Sequence, residues 1–131
     1  MKAGNRIKIL IEKTRTGFSA YAEKYSAYTT GKTVESLTEN MVESLNLFFE
    51  ESGSRKRVTA DDLQFEMELT SIFEVFPVIN VKALSVRLGM NYTLISQYAT
   101  GKKKPSARQA EKIMNGIHQV GRELTELRLI A

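Results

Sequence analysis

The residues of this chain best suited to chemistry are a group of hydrogen-bonding side chains followed by a run of lysines. The group comprises Tyr92, Thr93, Ser96 and Gln97, and the run comprises Lys102, Lys103 and Lys104. A glutamine can bond adenine N6 and N7 together, and hydroxyl groups can bond base edges or phosphates. Lysines neutralise phosphates and release their counterions. The pattern therefore predicts DNA binding in which the polar group reads bases and the lysines hold the backbone.

Two short helices are needed to position these side chains. VKALSVRLG predicts a helix that ends at Gly89, and Asn91 is placed to cap a second helix that runs through Tyr98. Gly101 is placed to close that helix in a left-handed conformation. The residues predicted to interlock the two helices are Leu84, Ser85, Leu88, Met90, Ile95 and Tyr98. Two short helices joined at a glycine predict a helix-turn-helix, whose second helix enters the DNA major groove.

A third helix is predicted to start at Ser106, where Ser106 and Gln109 fit a capping box. Its apolar residues recur at spacings of three and four, and they are Ala110, Ile113, Ile117, Val120, Leu124 and Leu127. The first three are expected to pack on the helix pair, whereas Val120, Leu124 and Leu127 are expected to help pair two chains. A homodimer would place two recognition helices about one DNA turn apart and favour a palindromic operator.

The first half of the chain alternates polar and apolar residues as β-strands do. RIKILIEKT and GFSAYAEKY flank a TRTG turn and predict a hairpin, and SAYTT adds a short third strand. A helix capped by Thr33 follows, with an apolar stripe at Val34, Leu37, Met41, Leu45 and Phe48. QFEMELT then predicts a strand whose Glu66 and Glu68 alternate with apolar residues. The predicted fold class is α+β, with a β-β-β-α-β domain at residues 1–72 and an all-α helix-turn-helix domain at 73–131.

Charge is distributed unevenly between the two halves. Residues 1–70 hold 10 Lys and Arg against 11 Asp and Glu, a net charge of −1, whereas residues 71–131 hold 9 against 4, a net charge of +5. Basic charge concentrated in the second half favours an anionic partner there. The sequence has no cysteine, no apolar run of membrane-spanning length and no signal-peptide pattern, so we expect a cytoplasmic protein without disulfides.

Catalysis is not predicted. SAYTTGKT departs from the phosphate-loop pattern because Ser26 replaces the first glycine, and a turn ending in a helix cap explains the same residues. His118, the single histidine, has no visible nucleophile or metal-ligand cluster around it. Glu12, Glu66 and Glu68 are too few for a ribonuclease-H carboxylate set, so they either form a solvent face or contact a basic partner. For Glu66 and Glu68 we expect contact with a basic partner. No metal or cofactor site is predicted.

The second half carries a resemblance to a known DNA-binding module. KALSVRLGMNYTLISQYATGKKKPS resembles the helix-turn-helix of phage repressors of the Cro/C1 (Xre) type, with its leucine-glycine turn, capped recognition helix and GK-rich loop before Pro-Ser. The resemblance extends over residues 79–120 and implies that Tyr92, Thr93 and Gln97 occupy base-reading positions. Tyr92 stands where the family often has glutamine.

The first half resembles the HicB antitoxin family over residues 5–70. KILIEKTRTGFSAYAEKYSAYTTGKTVESLTENMVESL follows its order of strand, turn, GFSA strand, GKT and helix, with EKYSAY in place of the usual Pro-Asp-Leu-Pro-Gly segment. The resemblance implies a degenerate ribonuclease-H-like sheet that occludes a small basic toxin ribonuclease, beside a module that represses the shared operon. We therefore expect a non-catalytic antitoxin and autorepressor. The alternative is a stand-alone repressor whose first domain senses a ligand or oligomerises.

Overall fold

A computed structural model describes residues 5–130, and the chain divides into two compact units between Ser71 and Ile72. The elements of the first unit are β1 (Ile7–Lys13), β2 (Phe18–Ala22), β3 (Tyr28–Gly31), α1 (Val34–Glu51), a short 3-10 turn (Ala60–Asp62) and β4 (Leu63–Glu66). The helices that follow are α2 (Leu69–Val75), which crosses the division, α3 (Val81–Leu88), α4 (Tyr92–Thr100) and α5 (Ala107–Glu126). The architecture is α+β, a four-stranded mixed sheet followed by helices.

The sheet has the strand order β3-β2-β1-β4. The first three strands form an antiparallel meander, and the turn between β1 and β2 is closed by a 2.8 Å hydrogen bond from the Thr14 N–H to the Gly17 carbonyl. β4 pairs with β1 in parallel, and parallel strands must be joined by a long connection. The chain between β1 and β4 contains α1. This order places β3 and β4 at the two edges.

One face of the sheet packs on α1. Ile7, Ile9 and Ile11 alternate along β1 and are buried against a helix stripe. The buried residues of that stripe are Leu37, Met41, Leu45 and Phe49. Phe48, predicted for the stripe, is only partly buried, because Phe49 continues the spacing of four that brings successive side chains to the sheet. The helix begins as predicted at Thr33, whose hydroxyl accepts the Ser36 N–H at 3.0 Å.

The strand predicted to extend to Thr70 ends four residues earlier. Glu66 forms the last pair with β1, opposite Leu10, and beyond it the chain has no strand partner among residues 5–130. Leu69 and Phe73 then fall four residues apart, and Phe73 is buried on α2. The period-two pattern of QFEMELT is therefore a strand followed by the start of a helix, and Glu68 lies outside the strand.

The second unit is helical, with a small core. Its buried side chains are Phe73, Leu84, Ser85, Ile95, Tyr98 and Ile113. α5 ends at Glu126, so the predicted helical seam is wrong at Leu127, which lies beyond the helix with an extended backbone (φ −78°, ψ 145°). No helix within residues 5–130 combines the length and apolar character needed to cross a bilayer.

Candidate nucleic-acid interface

α3 is held at both ends by local hydrogen bonds. The Asn80 side-chain oxygen accepts the Ala83 N–H at 2.9 Å, which satisfies one of the free donors of the first turn. Gly89 closes the helix at φ 64°, a left-handed conformation that glycine adopts without a Cβ penalty. The chain therefore reverses within the three residues that separate α3 from α4.

α4 is fixed against α3 by a short buried contact set. Asn91 caps the helix by accepting the Leu94 N–H at 3.2 Å, and the Met90 N–H donates to the Ser85 carbonyl at 3.0 Å across the turn. The side chain of Ser85 is buried, and its hydroxyl donates to the Lys82 carbonyl at 2.6 Å, so the group is satisfied. Ile95 is fully buried on the facing side of α4. The side of α4 opposite these contacts therefore faces away from α3.

The predicted base-reading residues lie on that outward side. Tyr92 and Thr93 are exposed, whereas Ser96 and Gln97 are half-buried. The pairs Tyr92/Ser96 and Thr93/Gln97 are each four residues apart, so the four side chains form one patch on the helix. None of these four side chains makes a hydrogen bond within residues 5–130. Their donors and acceptors are available to a ligand that approaches α4.

The lysine loop is attached directly to the end of α4. The Gly101 N–H donates to the Tyr98 carbonyl at 3.3 Å, and the Lys103 N–H donates to the Gln97 carbonyl at 3.2 Å. Gly101 adopts φ 80°, which turns the chain back over the last helical turn. Lys102, Lys103 and Lys104 are all exposed, and within residues 5–130 none forms an ion pair. Three uncompensated cations thus lie beside the polar patch of α4.

A neighbouring cation of the second unit is already neutralised. The Arg87 guanidinium bonds the Glu123 carboxylate, and the Gln119 amide donates to the same carboxylate at 3.1 Å. These two hydrogen bonds, the one from Arg87 first, hold the pKa of Glu123 below its ordinary value. The ion pair ties α3 to α5 and distinguishes Arg87 from the unpaired lysines of the loop.

α5 supports the helix pair through a close contact at a glycine. A Cβ on Gly116 would overlap the Cδ2 of Leu88, the last residue of α3. Ile113, one turn earlier, is fully buried. Ser106 caps α5, and its hydroxyl accepts the Gln109 N–H at 3.2 Å. The reciprocal bond of the predicted capping box, from the Gln109 side chain to the Ser106 N–H, is absent from the described residues. The cap therefore fixes where α5 begins, and the contact between Gly116 and Leu88 fixes where α5 packs on α3.

The first unit contains a second candidate site, on the sheet face that α1 leaves uncovered. A depression of about 560 Å³ is lined by three carboxylates and one lysine, with Tyr21 and Ser71 beside them; the charged residues are Glu12 and Lys13 of β1, Glu66 of β4 and Glu68 beyond it. The structure therefore brings the two sequence-predicted acidic residues together with Glu12. Lys8 forms a 4.0 Å ion pair with Glu66, and the two side chains are 57% and 44% exposed.

Two tyrosines extend this acidic face across the sheet. Strand register aligns one residue from each strand in a single row, Tyr28, Tyr21, Leu10 and Glu66. Tyr21 and Tyr28 are exposed, and Leu10 is half-buried. Sequence reasoning missed both tyrosines, although Tyr21 lies between Ala20 and Ala22, which are buried on the α1 face. That alternation is the signal that assigns Tyr21 to the opposite side.

The remaining candidate residues have structural roles or none. Gly31 of SAYTTGKT lies so close to α1 that a Cβ there would be 2.7 Å from the Leu37 nitrogen, and Thr33 is the α1 cap. His118 is exposed on α5. In the described part of the chain, no three His, Asp or Glu side chains are grouped as metal ligands would be.

Comparisons with protein-family models and with curated proteins found no match to this chain. Two surfaces of the described residues are candidates for binding a partner. One is polar and cationic and lies on α4 and the loop after it. The other is acidic and aromatic and lies on the sheet.

Proposed function

We propose that the second unit binds double-stranded operator DNA as a helix-turn-helix formed by α3 and α4. The observation that carries the proposal is the hydrogen bond from Lys103 to the end of α4, which places cations beside a helix face with unused hydrogen-bonding side chains. In this arrangement α4 enters the major groove, Tyr92, Thr93, Ser96 and Gln97 contact bases or nearby phosphates, and the lysines contact the backbone. The role is non-catalytic binding.

Titration of the full chain with labelled nucleic acids at several salt concentrations tests this proposal. We expect duplex DNA to bind more tightly than single-stranded DNA or RNA duplex, because the deep, narrow major groove of A-form RNA does not admit a helix. Affinity should fall steeply with salt, as counterion release requires. Equal binding to all three nucleic acids, or no binding at low salt, would contradict the proposal.

We further propose that the first unit binds a small basic protein, a toxin ribonuclease, through the acidic face. The observation that favours this function is the grouping of Glu12, Glu66 and Glu68 beside Tyr21 around one depression. Aromatic residues serve as anchors in protein interfaces, and the carboxylates give charge complementarity to a basic partner. With both surfaces the chain acts in the cytoplasm as an antitoxin that represses its own operon, the arrangement that its HicB-like pattern implies.

Co-expression separates this function from that of a stand-alone repressor. The small basic protein encoded beside this chain is expected to be toxic alone, to lose toxicity with the chain present, and to purify with it in fixed stoichiometry. Reversal of charge at Glu66 and Glu68 should restore toxicity. If no adjacent gene encodes such a protein, or if toxicity is unchanged by co-expression, a repressor whose first unit senses a ligand or oligomerises is the better account.

A further inference from the structure

The second unit carries an apolar groove that its own helices leave open. The groove, of about 580 Å³, lies between α3 and α5 and is lined mainly by Val78, Ile79, Val86, Ile117, Val120 and Leu124. Val78 is 87% exposed, Val86 78% and Leu124 62%. A contiguous group of exposed large apolar side chains marks an interaction surface rather than ordinary surface composition.

One residue that lines the groove is a glycine of α5 with no packing partner among the described residues. Glycine within a helix is less favourable than alanine, because its backbone loses more conformational freedom on folding. Packing within the chain explains the glycine at position 116, because a Cβ there would overlap Leu88. Gly121 lines the groove, and a Cβ built on it meets no described atom within 4 Å. Packing within the chain therefore accounts for Gly116 and leaves Gly121 unexplained.

The chain also carries a short segment at residues 127–130, Leu-Arg-Leu-Ile, in which Arg128 is the single polar residue; we call this segment the tail. Residues 127–130 follow α5 as neither helix nor strand, and Leu129 and Ile130 are 97% and 95% exposed. An extended segment of four residues spans roughly 13–14 Å. The part of α5 from Ile117 to Leu124 rises roughly 10 Å. The tail is thus long enough to cover the groove.

The tail of one copy does not occupy the groove of the same copy. Leu127 has an extended backbone that carries the chain onward from the helix end, whereas a return to the groove needs a reversal. Residues 124–130, LTELRLI, contain no glycine, proline or asparagine to make that turn. The tail matches the groove in length and apolar character but does not reach it within one molecule. The tail of one molecule can instead enter the groove of another.

We propose that the groove binds a second copy of this chain, with residues 127–130 of each copy lying in the groove of the other over Gly121. Such an exchange is self-complementary, so it closes as a two-fold dimer and does not propagate. The inference rests on the proposed function, because the dimer matters for DNA binding only if α4 reads DNA. A two-fold dimer would then present two α4 helices to the two half-sites of a palindromic operator. Dimerisation itself can be measured without DNA.

Sedimentation of the full chain between about 1 µM and about 100 µM tests the proposal. We expect wild-type protein to form dimers. Gly121→Leu, which fills the groove with an added side chain in open space, and truncation after Glu126 should each raise the dimer dissociation constant at least about tenfold. Asn115→Leu adds the same side chain at an exposed position outside the groove lining, so it should leave the dimer unchanged. Circular dichroism checks that every variant is folded.

Three results would overturn the inference. A wild-type monomer at all concentrations would exclude the second copy as occupant, and duplex DNA binding by that monomer would leave the proposed function standing. Unchanged dimerisation by Gly121→Leu would exclude the groove. Unchanged dimerisation by the truncated chain would exclude the tail. A dimer that requires both features but binds no DNA would support the inference while the proposed function fails.

Discussion

The backbone N–H of Lys103 donates a hydrogen bond to the carbonyl oxygen of Gln97 at 3.2 Å. The bond folds the lysine loop onto the end of α4, so the residue proposed to read bases and the residues proposed to contact phosphates belong to one small structural element. Rigid positioning of this kind reduces the entropy lost when a complex forms. Changes at Gln97 and changes at the lysines should therefore affect DNA binding in different ways.

Gln97→Ala should lower affinity for the selected operator by about 1–3 kcal/mol and change affinity for random DNA little, because the amide contributes only where the matching base is present. Fluorescence anisotropy with both duplexes measures the two affinities. Gln64→Ala, an exposed glutamine of the first unit, is the matched control. Equal losses on both duplexes for Gln97→Ala would argue against base reading.

Replacement of Lys102, Lys103 and Lys104 by glutamine should weaken binding to operator and random DNA alike. The slope of log affinity against log salt should become shallower by about 0.9 for each phosphate that the variant no longer neutralises. Substitution of Lys24, Lys32 and Arg55 removes the same charge from exposed positions of the first unit. If that control changes the slope as much, net charge rather than the loop accounts for the effect.

Charge reversal at Glu66 and Glu68 should weaken binding of the basic partner while DNA affinity stays the same, because the two surfaces are on different units. Isothermal titration calorimetry measures the first quantity and anisotropy the second. Reversal of Glu39 and Glu43, exposed on α1, is the matched control. Unchanged partner affinity in the Glu66 and Glu68 variant would exclude the acidic face as the binding site of the basic partner.

Gly116 and Leu88 should behave as an energetically coupled pair. Gly116→Ala places a methyl group on Leu88 and should destabilise the second unit, whereas in a Leu88→Ala background the same change should be stabilising through higher helix propensity. We expect a coupling free energy of about 1–3 kcal/mol from a double-mutant cycle measured by urea unfolding. Additive effects would show that α5 does not rest on α3 at this point.

Acid should weaken the link between α3 and α5. The pKa of Glu123 is lower in the folded chain, so its pairing with Arg87 stabilises the second unit above the ordinary carboxyl pKa. That contribution disappears as the pH falls through the folded pKa. In the Glu123→Gln variant the melting temperature should decrease less than in wild type as the pH is lowered. Glu126 is an exposed acidic residue on the same helix, and Glu126→Gln should leave that decrease unchanged. Identical acid profiles for Glu123→Gln and wild type would exclude the ion pair as the cause.

Helix ends were predictable from the sequence because they depend on neighbouring residues. Thr33 and Asn91 accept backbone N–H groups as caps, α3 ends at Gly89, and Gly101 adopts a left-handed conformation, as their positions indicated. A cap needs only a side-chain oxygen and the next turn of helix. These features therefore hold without knowledge of the tertiary fold.

Features that depend on distant partners were not predictable in the same way. The end of β4 is set by its last pair with Leu10, which the alternation of QFEMELT does not reveal. The row that joins Tyr28, Tyr21 and Glu66 requires the register of four strands. Leu127 keeps the apolar spacing of α5 but lies beyond the end of the helix. In each case a local pattern continues past the point where the tertiary partner stops.

Selection from a pool of random duplexes tests most directly whether α4 reads DNA sequence. We expect wild-type protein to enrich one consensus, and the Gln97→Ala protein to lose preference at one base pair of each half-site while it keeps the rest. Failure of the wild-type protein to enrich any sequence, or an identical consensus with both proteins, would contradict the claim.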